Sequence, residues 1–577
     1  MTDFPPTSAA IAGEASVARG KSGLTVSVEA LAWAALLALA AALRLASLER
    51  PPFSLAEAGR ALDAARVADG TVPAGWSGDL AAALTSYLFR IFGESQFVAR
   101  LAPAVAGAAL VGVVWLARPW LGRAGALVAG VLVGFSPLFV LFARSALAFS
   151  AGSLLAAAMA VAVFAYLRQP RPWPAFALVV ALGLSPLTDA VAVTGAIAVL
   201  GFLALESLLL DSEQVAAAWR TFRRSPVHWL SALLVLAAAL ELGLTHFGTS
   251  LDRSGLPGLR LWTNMFDLPR DSRPPEYHMA LLAAYEWPAL LAGGLAFVLF
   301  AGRVLRGGTG AVSPFQRFLL VWTAVAALTL VLVTRREAGQ LLMLLLPLAL
   351  LAGALAEEAA SAIDWSLLRR GWPIVVACLG LIAYAALLLT EWSRTGIGDG
   401  DRALLVLALV GVAALIGGTY LLVGRRAAAV PLVALTLVAV PFLAHSSLAV
   451  GFGDGAEFTA DLRITGRAER FSETVSQLAQ ERGGTVALDR ALGESLVWPL
   501  RDAPLVTGDP TKSASAVIAR ADQTPAGFEP LGDAWRLAEG WYPQALLHPL
   551  SLWRWLVFRE PYGSVDSIDV RIYVPKP

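Results

Sequence analysis

The residues of this chain that could handle a proton or a phosphate stand where long apolar runs end. Asp189 closes the short stretch Ser185-Pro186-Leu187-Thr188-Asp189 between two apolar segments, and Glu286 follows Tyr285 at the head of another. An ionisable group at such a place is costly and is normally partnered or used. Arg144 and the pair Arg335-Arg336 occupy similar ends, where a guanidinium fork suits a phosphate or can snorkel to lipid headgroups. Two polar stretches hold most of the rest. Residues 48–96 contain Glu57 and Asp79, and residues 248–279 contain Asp252, Asp267, Arg270, Asp271, Arg273, Glu276, Tyr277 and His278. Carboxylates there can take a proton from a hydroxyl. Each has a plainer reading too: Asp79 and Asp189 can cap the helices that follow them, Glu57 can face Arg60 in solvent, and Glu286 can hold a loop by a buried hydrogen bond.

Other chemistries find no residues to carry them. The single cysteine, Cys378, lies inside an apolar run, and the five histidines are scattered without ligand spacing, so neither disulfides nor a metal site is expected. P-loop, nucleophile-elbow and dinucleotide fingerprints are absent, and no cofactor is expected. A net charge of +1 gives no case for nucleic acid.

The elements that must position these residues are membrane spans. The 577 residues are 57% hydrophobic and 15% charged, too few charges to cover a water-facing surface. Apolar segments long enough to cross a bilayer fall near 27–47, 97–117, 124–142, 149–167, 173–187, 190–210, 227–247, 280–302, 315–334, 338–358, 372–391, 403–423 and 430–450, about thirteen in all. With the N-terminus in the cytoplasm, every cytoplasmic connection carries at least two arginines, among them Arg118 and Arg123, Arg168 and Arg171, Arg369 and Arg370, and Arg425 and Arg426. Residues 1–26 then read as a disordered cytoplasmic tail and 27–450 as the membrane domain, with outer loops 48–96 and 248–279. Residues 451–577 form an extracytoplasmic α/β domain. In the first loop, helices are predicted over Ala56–Ala68 and Leu80–Phe92, the latter closed by Gly93. In the tail the pattern predicts a helix over Phe471–Arg482 and strands over Thr485–Leu488, Ala516–Ala519 and Asp569–Val574.

On this frame several short motifs resemble the GT-C membrane glycosyltransferases, the superfamily of the dolichyl-phosphate-mannose protein mannosyltransferases. Arg44-Leu45 through Pro51-Pro52 and Glu57-Ala58 resembles that superfamily's passage from its first helix into its catalytic loop. Phe92-Gly93-Glu94-Ser95 with Ala99-Arg100-Leu101 resembles the approach to its second helix, and Ser136-Pro137 with Phe142-Ala143-Arg144 the end of its third. The branch called flippase-activity-associated, named for N-glycosylation loci, is similar over about residues 30–575. It matches at Gly255 to Trp262, Arg273-Pro274 to Tyr277, Tyr285-Glu286, Trp498-Pro499-Leu500-Arg501-Asp502, Trp553-Arg554-Trp555, Arg559-Glu560 and Val570–Val574.

The resemblance implies a multi-pass protein of the cell membrane. It would transfer a sugar from a polyprenyl-phosphate-linked donor to a glycan, lipid or protein acceptor at the outer face. It also implies a base in the first loop, usually the Asp of an Asp-Glu pair. Here that pair reads Ala56-Glu57, so Glu57 or Asp79 becomes the candidate catalytic carboxylate. Arg336, Arg335 and Arg144 become candidates for the donor phosphate, and Asp189, Tyr285 and Glu286 for the cavity or acceptor. Family members carry a Lys-Glu pair near the position of Thr188-Asp189. The missing Asp also keeps open a non-catalytic protein that binds lipid-linked saccharides or supports their assembly and export. A secondary transporter fits less well, since the charges cluster at the ends of spans rather than at the midplane.

Overall fold

The computed structural model describes residues 27–576 apart from short breaks at 74–75, 77, 209, 211, 246, 249–255, 269–272, 363–364, 397, 424–428, 454–456, 459–461, 483–484, 502, 509–513 and 542–547. The predicted tail 1–26, the loop charges Asp252, Arg270 and Asp271, and Arg425 and Arg426 lie outside the described residues.

Apolar runs become helices because each backbone group must find its partner within the segment once water is gone. The chain opens with α1 (Val28–Leu45), and the first long loop carries α2 (Leu55–Ala68) and α3 (Leu80–Phe92). Then come α4 (Gln96–Leu116), the one-turn α5 (Arg118–Leu121), and α6 (Arg123–Gly134) with α7 (Pro137–Ala143), a pair bent by 58°. Next are α8 (Phe149–Arg168), the short α9 (Pro172–Leu184), α10 (Ala190–Leu208), and a second bent pair, α11 (Glu213–Arg224) and α12 (Pro226–Leu244). The second long loop holds α13 (Pro257–Asn264) and α14 (Tyr277–Tyr285). The membrane part closes with α15 (Trp287–Gly307), α16 (Pro314–Leu332), α17 (Leu342–Ala362), α18 (Trp365–Thr395), α19 (Asp399–Val423) and α20 (Ala429–Phe452).

Every predicted segment falls on an apolar helix, but not all are straight spans. Among the described residues ten helices are long and apolar enough to cross a membrane, and up to twelve spans result if each bent pair counts once. The stretch Pro172–Leu187 is shorter than a span.

The tail folds as a mixed six-stranded sheet in the order β1-β5-β6-β4-β2-β3. Its elements are β1 (Arg463–Ile464), α21 (Arg467–Arg482), β2 (Val486–Asp489), β3 (Leu505–Gly508), β4 (Ala516–Arg520), β5 (Phe528–Trp541), α22 (Pro549–Phe558) and β6 (Val565–Pro575). The sheet is joined to the first loop rather than hung beside it. Leu55 N donates to Leu462 O at 2.8 Å, and Ile464 N donates to Phe53 O at 2.8 Å. Trp498 buries its ring against Phe53 and stacks on Phe89. A second seam joins the tail to the second loop, where Trp541 and Trp555 pack with Phe458 and with Tyr285 of α14. Four of the five tail tryptophans are thus packed on other rings, since Trp535 lies on Phe471.

Candidate active site

The first loop turns out of α1 through a corner at residues 46–52 that is held by buried arginines. Arg144, at the end of α7, donates to five backbone carbonyls: Leu43, Ala46, Ser47, Arg50 and Gly451. Its guanidinium also lies 4.1 Å from the Phe452 ring. Arg100 in α4 donates to Leu48 O and Pro51 O at 2.9 and 2.7 Å. The rest of its fork meets Glu57, with Nε to Oε1 at 2.8 Å and Nη2 to Oε2 at 3.0 Å.

Glu57 has no spare capacity. Besides Arg100 it accepts from Ala146 N at 2.9 Å and from Ser54 N at 3.0 Å, while Ser54 Oγ accepts from Glu57 N to close a capping box. Burial alone would raise its pKa, but the Arg100 charge and these hydrogen bonds outweigh it and hold the carboxyl below its ordinary range. A carboxylate held so firmly ionised is a weak base. The preceding residue, Ala56, is exposed.

Ala56 faces a cavity of about 590 Å³. Ser54, Glu57 and Arg60 of the first loop line one side. Leu141, Phe142, Leu147 and Phe149 give it an apolar flank, and Leu261, Asn264, Met265 and Arg273 of the second loop cover another. Arg335, Glu337, Gly339 and Gln340 form the wall before α17, and Arg463 of β1 reaches in from the tail. Asp189 and Ala190 complete the lining at the head of α10.

Asp189 is arranged unlike Glu57. Its Oδ1 caps α10 by accepting from Ala192 N at 3.0 Å, while Oδ2 is buried without a hydrogen-bond partner. Gly152 makes the room, because a Cβ there would lie 1.7 Å from Oδ1. Gly258 closes over the turn, and its added Cβ would come 2.9 Å from Ser185 O, Thr188 N and Asp189 N. Burial pushes the Asp189 carboxyl well above the usual carboxylate range and the Asp79 charge adds to this, while backbone amides and Arg60 pull the other way.

The other residues singled out from sequence divide sharply. Asp79 is fully buried, caps α3 through Ala82 N and pairs with Arg60 at 2.6 Å. It does not line the cavity. Arg335 lines the cavity and is exposed there, whereas Arg336 turns away and donates to Arg273 O at 3.0 Å. Arg273 donates back to Arg336 O, pinning the second loop to this wall. His278 joins the pin through Glu337 O at 3.1 Å, and burial lowers its pKa to about 4.

Arg144, Tyr285 and Glu286 also lie outside the cavity lining. Tyr285 donates to Glu457 Oε2 at 2.5 Å at the tail seam, and Glu286 accepts from Ser136 Oγ and Leu138 N, capping α7 at the bend. Sequence reasoning gave no site role to Arg60 or Arg463. Arg60 stands one turn beyond Glu57, a usable signal, but nothing local marks Arg463.

Comparison with known proteins agrees with this architecture. Residues 79–242, which include α3, α4, the Asp189 turn and α10, match the family described as dolichyl-phosphate-mannose-protein mannosyltransferase. No curated protein matches the chain by sequence. Among solved structures, ArnT from Cupriavidus metallidurans bound to undecaprenyl phosphate aligns with a TM-score of 0.55 and 17% identity, over 90% of this chain and 99% of that one. The apo state of the same protein gives 0.51 and 18%, over 83% and 86%. The chain thus has the GT-C fold of these membrane proteins, and residues 79–242 are similar to the mannosyltransferase family.

Proposed function

We propose that this protein transfers a sugar from a polyprenyl-phosphate-linked donor to an acceptor hydroxyl on a glycan, lipid or protein at the outer face of the cell membrane. The observation that carries this reading is the mixed lining of the cavity. Four arginines, Arg60, Arg273, Arg335 and Arg463, and the carboxylates of Glu57, Asp189 and Glu337 share it with an apolar flank of Leu141, Phe142, Leu147 and Phe149. Such a lining suits an amphiphile whose phosphate sits among guanidinium groups while its chain stays with apolar side chains. The undecaprenyl phosphate bound by the ArnT relative supports the same class of donor.

In this reading Arg335, with Arg273 beside it, meets the donor phosphate and stabilises the charge that grows on it as the sugar leaves. Arg336 positions Arg273, and Arg144 holds the corner from which the first loop starts. Glu57 and Asp79 act as positioning residues, the first fixing α2 against Arg100 and the second fixing Arg60. In this reading the N-terminus lies in the cytoplasm and the cavity and tail domain outside, an orientation that the arginines of the connections support.

A second reading, a non-catalytic binder of lipid-linked saccharides, is favoured by one observation: Ala56 stands where the superfamily's carboxylate is expected. A radiolabelled transfer assay in membranes with polyprenyl-phosphate hexose separates the two. Transfer by wild type that is lost in an Arg273→Ala, Arg335→Ala double variant supports the enzyme. Donor binding without transfer in wild type supports the binder.

A further inference from the structure

We infer that Asp189 is the proton acceptor of this cavity, the catalytic carboxylate that the first loop does not supply. The inference rests on the transfer reading above. Three observations on the Asp189 turn carry it.

A buried carboxylate oxygen without a partner is costly and is retained where something else is to meet it. Asp189 Oδ2 is such an oxygen, on a residue that lines the cavity. The carboxylates near it are spoken for. Glu57 spends both oxygens on Arg100 and two backbone amides, and Asp79 spends both on Arg60 and Ala82 N. Glu337 sits at an exposed position and caps the turn before α17.

The carboxylate is also fixed rather than loosely presented. Oδ1 is tied to Ala192 N at the head of α10, which orients Oδ2. Gly152 in α8 opens the space the group fills, and Gly258 in α13 presses on the turn from the other side. Two glycines from different helices thus hold one acid, and neither could carry a side chain without displacing it.

The step balances simply. As the acceptor hydroxyl oxygen attacks the anomeric carbon, its proton passes to Asp189 Oδ2. The bond from that carbon to the phosphate oxygen breaks, and polyprenyl phosphate leaves with the electron pair. The proton on Asp189 then returns to solvent through the cavity mouth.

The test uses full-length protein in proteoliposomes, with transfer followed from radiolabelled polyprenyl-phosphate hexose and donor affinity read with undecaprenyl phosphate. Asp189→Asn keeps an oxygen for the Ala192 cap but cannot take a proton. It is expected to lower kcat by about a hundredfold or more while undecaprenyl phosphate binding stays within about twofold. Gly152→Ala, which keeps the acid but displaces it, should lower kcat in the same direction, and Asp189→Glu should recover part of the Asp189→Asn loss. Wild-type transfer with Asp189→Asn equally active overturns the assignment and leaves the transferase reading standing. No transfer by wild type, with undecaprenyl phosphate still bound, overturns both.

Discussion

Glu57 and Asp189 are both buried acids on one cavity, and they are built in opposite ways. Glu57 accepts four hydrogen bonds, two of them from a buried guanidinium. Asp189 accepts one at Oδ1 and leaves Oδ2 buried without a hydrogen-bond partner. The arginines divide likewise. Arg144 and Arg100 are spent on backbone carbonyls and Glu57, while Arg335 stands exposed on the cavity wall. A charge that is fully matched inside the protein serves as scaffold, because any ligand would have to displace bonds already made. One left partly unmatched beside a cavity is available for a ligand. In the proposed reading the site therefore has a satisfied wall, which fixes the first loop, and a second wall, with Asp189 and Arg335, which would meet substrate.

The largest effect expected from this division is on stability. Arg100→Met leaves Glu57 buried without its cation, a change that typically costs about 3–5 kcal/mol, and should lower the thermal unfolding midpoint in detergent accordingly. A near-normal midpoint would erase the distinction between the walls. Acid should act on the same bond. Because the Glu57 carboxyl is held below its ordinary value of 4.5, its contribution is complete above that pH and is lost as pH falls through the depressed value. Wild type should therefore lose stability on acidification below 4.5 more steeply than Glu57→Gln, as read by midpoints measured across pH.

Next in size are the effects on ligand. Arg335→Ala removes a charge-assisted contact worth roughly 1.5 kcal/mol at the lower end, so KM for the polyprenyl-phosphate donor should rise about tenfold. The unfolding midpoint should stay unchanged. Arg336→Ala should move both, because it releases Arg273 and the second loop. If both variants behaved alike, the two neighbours would not belong to different walls.

How far this was legible in the sequence depends on where the deciding partners lie. The spans, α2, α3, α21 and the strands β2, β4 and β6 follow from local periodicity, and Asp79 as the cap of α3 follows from its place before Leu80. The long strand β5 is not legible from periodicity, because residues 529–534 are all exposed and show no alternating apolar face. Arg144 resembled a phosphate ligand because its residue type and its place at the end of a span fit one. Its partners, the carbonyls of the 43–50 corner and Gly451, lie about a hundred and three hundred residues away. Tyr285 and Glu457 are 172 residues apart, and neither segment names the other. Residue type fixed what each charge could do, but long-range pairing decided whether it was free to do it.

The glycines of the Asp189 turn offer a finer probe. Gly258→Ala would set a Cβ 2.9 Å from three backbone atoms of residues 185–189, so the turn or α13 must shift. Overpacking of this kind typically costs about 1–3 kcal/mol, and unfolding of the purified variant would report it. Because the same shift moves Asp189, transfer should fall further than the loss of folded protein explains. A variant with normal stability and normal kcat would mean that the turn tolerates displacement and that its geometry does not matter to the site.

The smallest effect should come from a bridge between the first loop and the tail that lies in solvent. Arg66 meets Glu494 at 2.7 Å, with side chains 32% and 62% exposed. A pair so hydrated gains little over its separate contacts with water, and the arginine also has Asp63 within 3.7 Å. A double-mutant cycle of Arg66→Ala and Glu494→Ala is expected to give a coupling below about 1 kcal/mol. The joint between loop and tail would then rest on the β1 backbone hydrogen bonds and on Trp498 against Phe53 and Phe89. A coupling as large as that of the Arg100–Glu57 pair would mean instead that exposure does not separate structural from incidental charge here, and the contrast between the two walls would lose its physical basis.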